Sequence, residues 1–509
     1  MENEIKLLAR HEDLDALLHS PLLQKYATAP AVEHVIVDTY YDTPGHDLRS
    51  QHASLRLRKT GSDYLQTLKL GNGTGGALHS REEFESPVKR DRPSLALLRK
   101  LADSKGAVRS LLHSANLKRQ LYPVFSTRVS RTVFLLHLPQ GDVIECAVDQ
   151  GEIEANGATV PICEVEFELK SGQVTRLFDL ALALSEEVPL AIGEQSKGDR
   201  GYALLVPQVF TASKARPVVL KKNMTVEHAF TDIIGNCIMQ VEANATGVAH
   251  CDGEALHQMR VGFRRLRAAL ALIEDLIALP PELDAEMDWL AADLGAARDW
   301  DVLATTTLGE LAQSHPDQAH LAQVAQAALS ISNQALREAA GAVASPRYAR
   351  LLLLLTQWRL GARWRNNATA RALSRLEQPV DNFARKALAS SHKRLLKRGD
   401  LLDGMSPEIT HRVRIAAKKT RYASEFFSSL FPAREVRSFV KQLSLLQDEF
   451  GKFNDAAVAD KMLASLQEKQ PGLGGSADYV RGFMACGAQG TQAGIKKSWR
   501  KFCTARLPH

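Results

Sequence analysis

The chain has 509 residues but only six cysteines: Cys146, Cys163, Cys237, Cys251, Cys486 and Cys503. No two form a CxxC pair, so neither a disulfide framework nor a thiolate zinc site is predicted, and a reducing cytoplasm is the expected compartment. No GxxxxGK[ST] segment occurs, which removes the P-loop route to phosphate binding. The longest apolar run, 268–273, is far short of the roughly 20 residues that span a bilayer, so no membrane partner is expected. The N-terminus is acidic where a secretory signal would be basic. Aromatic residues are scarce at 6%. They are not interleaved with the basic clusters, as stacking on bases requires, so no specific nucleic acid is expected. No Ser/His/Asp or Cys/His constellation is evident either. Catalysis, if present, must rest on charge and positioning.

The composition itself, 45% hydrophobic and 24% charged, is that of an ordinary globular protein of two or three domains. Its charge is unevenly placed. Residues 1–217 carry 26 Lys/Arg against 28 Asp/Glu, whereas 218–509 carry 38 against 30. Within 385–421 alone there are 11 basic and 3 acidic residues. Such a concentration points to a polyanionic partner.

The first six residues set the theme. As a strand, Met1–Lys6 puts Glu2, Glu4 and Lys6 on one face. Further strands are predicted at 34–41, 54–59, 64–70, 80–88, 124–138, 143–149 and 162–170. Helical inserts are predicted at 11–23, 94–101, 105–114 and 175–187. Charged residues alternate on nearly every strand: Arg56 with Arg58, Arg81 with Glu83 and Glu85, Glu145 with Asp149, and Glu164 with Glu166 and Glu168. Lys69 ends an otherwise apolar strand. Arg128 and Arg131 fall on opposite faces, so at most one points with the rest. Two architectures accommodate this pattern. One is a sandwich with a solvated polar face; the other is a closed barrel whose lumen is charged and whose apolar outer face is covered by helices. A charged lumen would offer Arg and Lys to phosphate oxygens and carboxylates to a hard cation.

Taken together, Glu2-x-Glu4-x-Lys6, Tyr41-Asp42-Thr43-Pro44 with Leu48, Leu55-Arg56-Leu57-Arg58, Glu164-x-Glu166-x-Glu168 and Ser196-Lys197-x-x-Arg200-Gly201 resemble the CYTH family, the triphosphate tunnel metalloenzymes. The resemblance covers residues 1 to about 205. It implies an eight-stranded antiparallel tunnel that binds a linear triphosphate with Mg²⁺ or Mn²⁺. It further implies metal ligation by Glu2, Glu4, Glu164 and Glu166, with Glu168 facing the same way. Lys6, Arg56, Arg58, Lys69, Arg81, Arg131 and Lys197 would grip phosphate, while Glu83, Glu85 and Asp149 would serve a second metal or orient a water.

After a Pro-containing stretch at 206–221, apolar spacing becomes helical almost throughout. Helices are predicted at 225–245, 254–279, 282–294, 318–341, 348–363, 382–397, 407–430, 436–452, 458–468 and 477–505. An internal repeat lies within them. His257-x-x-Arg260-x-x-x-Arg264-Arg265-x-Arg267 returns as His411-x-x-Arg414-x-x-x-Lys418-Lys419-x-Arg421. Shorter echoes follow at 294–299 and 450–455. At about 100° per residue, His257, Arg260, Arg264 and Arg267 share roughly 80° of helix surface, as do His411, Arg414, Lys418 and Arg421. Two such stripes would repel one another unless a polyanion lay between them. The segment 222–509 resembles the CHAD domain, which implies two four-helix bundles and a basic groove for inorganic polyphosphate.

The expected organisation is therefore an α+β multidomain chain: a tunnel domain at 1–205, a linker at 206–221 and an all-α domain at 222–509. The expected activity is metal-dependent hydrolysis of tripolyphosphate to pyrophosphate and phosphate. A non-catalytic polyphosphate-binding or granule-associated protein, or an enzyme for thiamine triphosphate or ATP, stands as the alternative.

Overall fold

A computed structural model describes the chain apart from residues 1, 61–62, 72–75, 103–109, 207–209, 403–405 and 488–490, and apart from a few further side chains, Arg81 among them. The expected helix at 105–114 falls largely outside the described residues. The chain divides into two compact units, Met1–Phe210 with Ala344–Gln357, and Thr211–Val343 with Trp358–His509.

The first unit is a closed antiparallel barrel. Its strands are β1 (Glu2–Leu8), β2 (Val32–Asp42), β3 (Ala53–Thr60), β4 (Asp63–Leu70), β5 (Leu78–Val88), β6 (Tyr122–His137), β7 (Val143–Ala155) and β8 (Ala158–Ser171). The order β5-β4-β3-β2-β6-β7-β8-β1 is closed by pairing of β1 with β5. The expected eight strands thus form the ring, and a ninth, the two-residue β9 (Ala191–Ile192), adds to the end of β1. Closure removes every free edge from the ring, the hazard that an open sheet must otherwise protect. β7 and β8 are longer than their apolar patterns indicated. Asn156 and Gly157 join them with φ of 51° and 78°, the two-residue turn whose positive φ values match strand twist.

Alternation sorts the side chains by face. Leu55, Leu57 and Leu68 point outward into a core with Leu98, Leu112 and Leu117 from the covering helices. The helix α1 (Thr175–Glu187) packs on β1 and β8, whose outward Ile5, Leu7, Val165 and Phe167 are fully buried. The apolar outside thereby frees the lumen for charge.

The helix α2 (Lys197–Leu205) is capped by Ser196, with Asp199 completing a capping box. A buried corner holds it. Asp42 Oδ1 accepts from the backbone N–H groups of Thr43 (2.7 Å) and Leu48 (2.9 Å), and its Oδ2 accepts from Arg49 N–H and the Tyr202 hydroxyl (2.7 Å). The Tyr41–Leu48 motif is thus a structural clamp on α2. Gly201 lies against Phe125, where an added Cβ would meet the ring at 2.1 Å. Gly201→Ala is expected to displace α2 and cost about 1–3 kcal/mol by overpacking. A thermal melt of the variant checks this.

The second unit is helical. One bundle contains α3 (Val226–Glu242), α4 (Gly253–Ile273), α5 (Pro281–Asp301) and α6 (Ala319–Val343). The other contains α7 (Val380–Gly399), α8 (Pro407–Phe426), α9 (Ala433–Lys469) and, after the helix α10 (Gly474–Gly487), α11 (Thr491–Cys503). The separate helices expected at 436–452 and 458–468 are one, α9, because nothing between them breaks a helix. Of the helix expected at 477–505 the described residues show α10 and α11; residues 488–490 between them lie outside the described residues. α4 and α8, the two repeat helices, pack against each other.

Candidate functional site

The barrel encloses a cavity of about 260 Å³ lined by every strand of the ring. Register explains its composition. Lys6 lies opposite Glu166, Glu4 opposite Glu168, Arg131 opposite Asp149, Arg58 opposite Asp38 and Lys69 opposite Glu83. In these pairs charges on one strand meet opposite charges on the next, except at Glu4 and Glu168; β7 and β8 also set acid against acid, Glu145 opposite Glu168 and Asp149 opposite Glu164.

Beside α2 lies a buried cluster in which Lys6, Arg131 and Lys197 meet Asp149, Glu164 and Glu166, with Arg200 reaching Glu164 from its edge. Lys197 binds Asp149 (2.6 Å), Glu166 (3.0 Å) and Glu164. Lys6 binds Glu164 (2.9 Å) and Glu166, and Arg131 binds Asp149 (2.6 Å) and Glu166 (2.5 Å). Burial disfavours every one of these charges, yet the opposite charges outweigh it. Asp149, Glu164 and Glu166 are held below the usual carboxylate range, and Lys6 and Lys197 above the usual lysine value. The oxygens of Asp149, Glu164 and Glu166 lie within 4.8 Å of one another, close enough to share a metal ion. Glu164 is fully buried, does not line the cavity, and also takes a bond from Arg200 at 3.3 Å.

Toward the opposite end the carboxylates lack that compensation. Glu2 binds Lys69 at 3.0 Å. Glu168 binds Lys170 at 2.8 Å, and Lys170 also serves Glu145 at 3.4 Å. Glu4 is buried and makes no ion pair among the described residues. Burial raises the pKa of Glu2, offset in part by Lys69 and reinforced by Glu83. Glu168 is raised by burial too, offset by Lys170, with Glu2 and Glu145 adding to the shift. Hard oxygen donors suit a divalent cation; among the described residues the acids whose oxygens converge within 4.8 Å are Asp149, Glu164 and Glu166, while Glu2, Glu4 and Glu168 line the same cavity.

Between the two ends sits an arginine clamp. Arg58 donates to both oxygens of Asp38 at 2.8 and 2.9 Å, and Arg56 reaches Asp38 at 3.3 Å and Glu83 at 3.5 Å. Asp38 is 2% exposed and was not singled out in the sequence, although it alternates with Tyr40 on β2. Lys69 also meets Glu83 at 3.3 Å, and Glu85 accepts from Thr67 at 2.8 Å. Of the rival pair on β6, Arg131 points inward and Arg128 is exposed. The Arg81 backbone pairs with Glu2, but its side chain lies outside the described residues.

The helical unit has a larger cavity, about 970 Å³, lined by both repeat helices together with α5 and α9. His257, Arg260, Arg264, His411, Arg414 and Lys418 all face it. The shorter echoes supply its opposite wall. Arg260 approaches Asp299 at 3.6 Å, and Arg414 approaches Asp455 at 4.0 Å in the second copy. The Nε atoms of Arg264 and Arg414 are buried without a hydrogen-bond partner. Burial lowers the pKa of His257, with Arg298 and Arg264 adding to the effect. Arg267 sits at the cavity margin, ion-paired to Asp284 (2.7 Å) and Asp288. Arg421 is not among the lining residues; it binds Glu425 at 2.8 Å and Gln447 at 3.1 Å. No described helix is long and apolar enough to cross a membrane.

Residues 1–202 match the family described as CYTH domain, and residues 232–464 match the CHAD domain. Over 175 residues, 34% of the chain, the protein is 38% identical to an inorganic triphosphatase of Haemophilus influenzae. The match covers 47% of that protein, so the chain spans about half the length of this curated relative. The crystal structure of the CHAD domain from the plant Ricinus communis is 33% identical, with a TM-score of 0.53, over 59% of this chain and 99% of that one.

Proposed function

The chain belongs to the CYTH family over residues 1–202 and to the CHAD family over residues 232–464, and from this premise we propose a metal-dependent inorganic triphosphatase, cleaving tripolyphosphate to pyrophosphate and phosphate, joined to a polyphosphate-binding helical module. The observation that carries the proposal is the charge balance of the barrel. Among the described side chains, seven cations line its cavity against nine carboxylates. A polyanion entering a lumen that is already net negative is repelled unless divalent cations accompany it. Arginines and lysines alone would make a phosphate site; this mixture makes a site for phosphate together with metal.

In this reading Arg56, Arg58, Lys69 and Arg131 bind the phosphate oxygens and hold the chain of phosphates in line. Asp38 keeps the two guanidinium groups of β3 aimed at the lumen before substrate arrives, so little ordering is left for the moment of binding. Lys6 and Lys197 balance the buried acids. Glu2 and Glu4 of β1 with Glu164 and Glu166 of β8, the latter two grouped with Asp149 within 4.8 Å, would hold Mg²⁺ or Mn²⁺, which when bound neutralises phosphate charge and makes water a better nucleophile near neutral pH. Phosphoryl transfer needs little from a protein beyond such positioning and charge.

The cavity volume supports an inorganic substrate. About 260 Å³, lined among the described residues by sixteen charged side chains and only a few apolar ones such as Ile36, Leu65 and Val129, suits a compact, highly charged substrate better than a purine or a thiazole. Equal concentrations of tripolyphosphate, thiamine triphosphate and ATP, each with Mg²⁺, should release phosphate fastest from tripolyphosphate. Faster turnover of either organic triphosphate would replace this substrate assignment.

For the helical unit, Arg264 and Arg414 line the cavity and have buried Nε atoms without a hydrogen-bond partner among the described residues, so an anion between α4 and α8 would satisfy them. Reversing both charges with Arg264→Glu and Arg414→Glu is expected to weaken polyphosphate binding at least about a hundredfold. Raising salt should weaken the unaltered protein's binding in a graded way. Calorimetric titration with polyphosphate measures both.

A further inference from the structure

The two copies of the repeat differ at their centre. Arg264 on α4 corresponds to Lys418 on α8, and both line the 970 Å³ cavity. Arg260 and Arg414 each have an aspartate nearby. Lys418, by contrast, makes no hydrogen bond or ion pair among the described residues. It is half-buried and faces Arg260 and Arg264 from α4 and Arg414 from its own helix, with Asp455 of α9 the acid that opposes them most.

An ammonium placed among guanidinium groups, out of bulk water and without a carboxylate, is destabilised relative to the free amine. Neighbouring cations and desolvation are the two established ways of turning a lysine into a nucleophile. Burial, then the fields of Arg264 and Arg414, bring the pKa of Lys418 down to about 7, against about 10.4 for an ordinary lysine. A guanidinium at that position could not react, so the Arg-to-Lys difference between the copies is chemically meaningful. Ile415, one residue from Arg414, is 38% exposed on the same cavity and offers an apolar surface beside the amine.

We propose that Lys418 is a reactive amine that captures phosphorylated aldehydes, the phosphate resting on Arg264 and Arg414 and the organic body against Ile415. The neutral Nζ adds to the aldehyde carbon, its proton passing to the carbonyl oxygen to give a carbinolamine. Loss of water then leaves an imine between Nζ and that carbon, with no oxidant or reductant required. The phosphate grip rests on the anion-binding reading of the cleft; the amine's reactivity does not.

The test uses the full-length protein and pyridoxal 5′-phosphate as probe, with borohydride trapping and peptide mass mapping. Lys418 should be labelled at least about tenfold faster than any other lysine at pH 7.5. Its labelling rate should rise with pH through about 7, whereas surface lysines respond only near pH 10. Pyridoxal without the phosphate should label it at least about tenfold more slowly, and added polyphosphate should protect it. Lys418→Arg should abolish the fast phase while the circular dichroism spectrum stays unchanged. Labelling spread evenly over surface lysines, or a fast phase retained in Lys418→Arg, would overturn the proposal. Calorimetry of unlabelled protein with polyphosphate reports separately on the cleft. Fast phosphate-dependent labelling of Lys418 without polyphosphate binding would refute the polyphosphate reading and leave the reactive amine standing.

Discussion

Arg56→Ala should lower tripolyphosphate turnover by about two to three orders of magnitude while the barrel stays folded. Arg56 reaches both Asp38 and Glu83 across the lumen, and its guanidinium has more than one N–H to offer a transferring phosphoryl group. Loss of one preorganised donor at such a centre typically costs about 10²–10³ in rate. The fall should be in kcat as well as kcat/KM, because charge on the phosphoryl grows toward the transition state. Arg56→Lys should recover only part of it, since an ammonium lacks the two-pronged geometry. Steady-state phosphate release against thermal melting separates chemistry from folding. An Arg56→Ala protein with ordinary turnover would remove Arg56 from the site.

The second large effect is on stability. Lys197 touches all three carboxylates of the buried cluster. With alanine there, each of the three acids loses a buried partner: Asp149 keeps Arg131, Glu166 keeps Lys6 and Arg131, and Glu164 keeps Lys6 and the longer contact to Arg200. Breaking a buried ion pair in this one-sided way costs about 3–5 kcal/mol, or a melting temperature lower by about 10 °C for a unit of this size.

The pH dependence carries a definite sign. In the unaltered protein the three carboxylates have depressed folded pKa values. Their contribution is therefore present above the unfolded value of about 4 and is lost as pH falls through the folded values. Lys6 and Lys197, with raised folded values, contribute below about pH 10.4 and lose that contribution only as pH rises beyond it. In Lys197→Ala the three carboxyl pKa values should rise, because Lys197 is the charge that lowers each of them most. The stability gap between variant and parent should narrow from pH 7.5 to pH 5, as melts across that range will show. A gap that stays constant or widens toward acid would mean that Lys197 does not compensate these acids.

Much of the barrel was legible because strand alternation is a strict rule. Glu2, Glu4 and Lys6, Arg56 with Arg58, and Glu164 with Glu166 could be placed on faces before any partner was known. Whether those faces met solvent or a lumen could not be read from one strand at a time. That depends on β1 pairing with both β5 and β8, a long-range closure with no local signal. Asp38 was missed for the same reason. Within 34–41 it is a lone acid among Val, Ile, Thr and Tyr, and its meaning comes from lying opposite Arg58.

In the helical unit, periodicity located the stripes but not their margins. Arg267 and Arg421 stand at the edge of the shared arc, where acids on neighbouring turns and helices compete for them. The gap between the helices expected at 436–452 and 458–468 contains Asn454 and Asp455, which have low helix propensity without being helix breakers. Both sit inside α9 and line the cavity. A local propensity was overridden where the side chains face the cleft.

The most direct measurement is the rate of phosphate release from tripolyphosphate as Mg²⁺ is added back to metal-free protein. A lumen lined, among the described side chains, by seven cations and nine carboxylates predicts negligible release in chelator. It also predicts a rise with Mg²⁺ to a plateau, with pyrophosphate and phosphate formed in equal amounts. Turnover that is undiminished in chelator, or absent at every Mg²⁺ and Mn²⁺ concentration, would contradict the account.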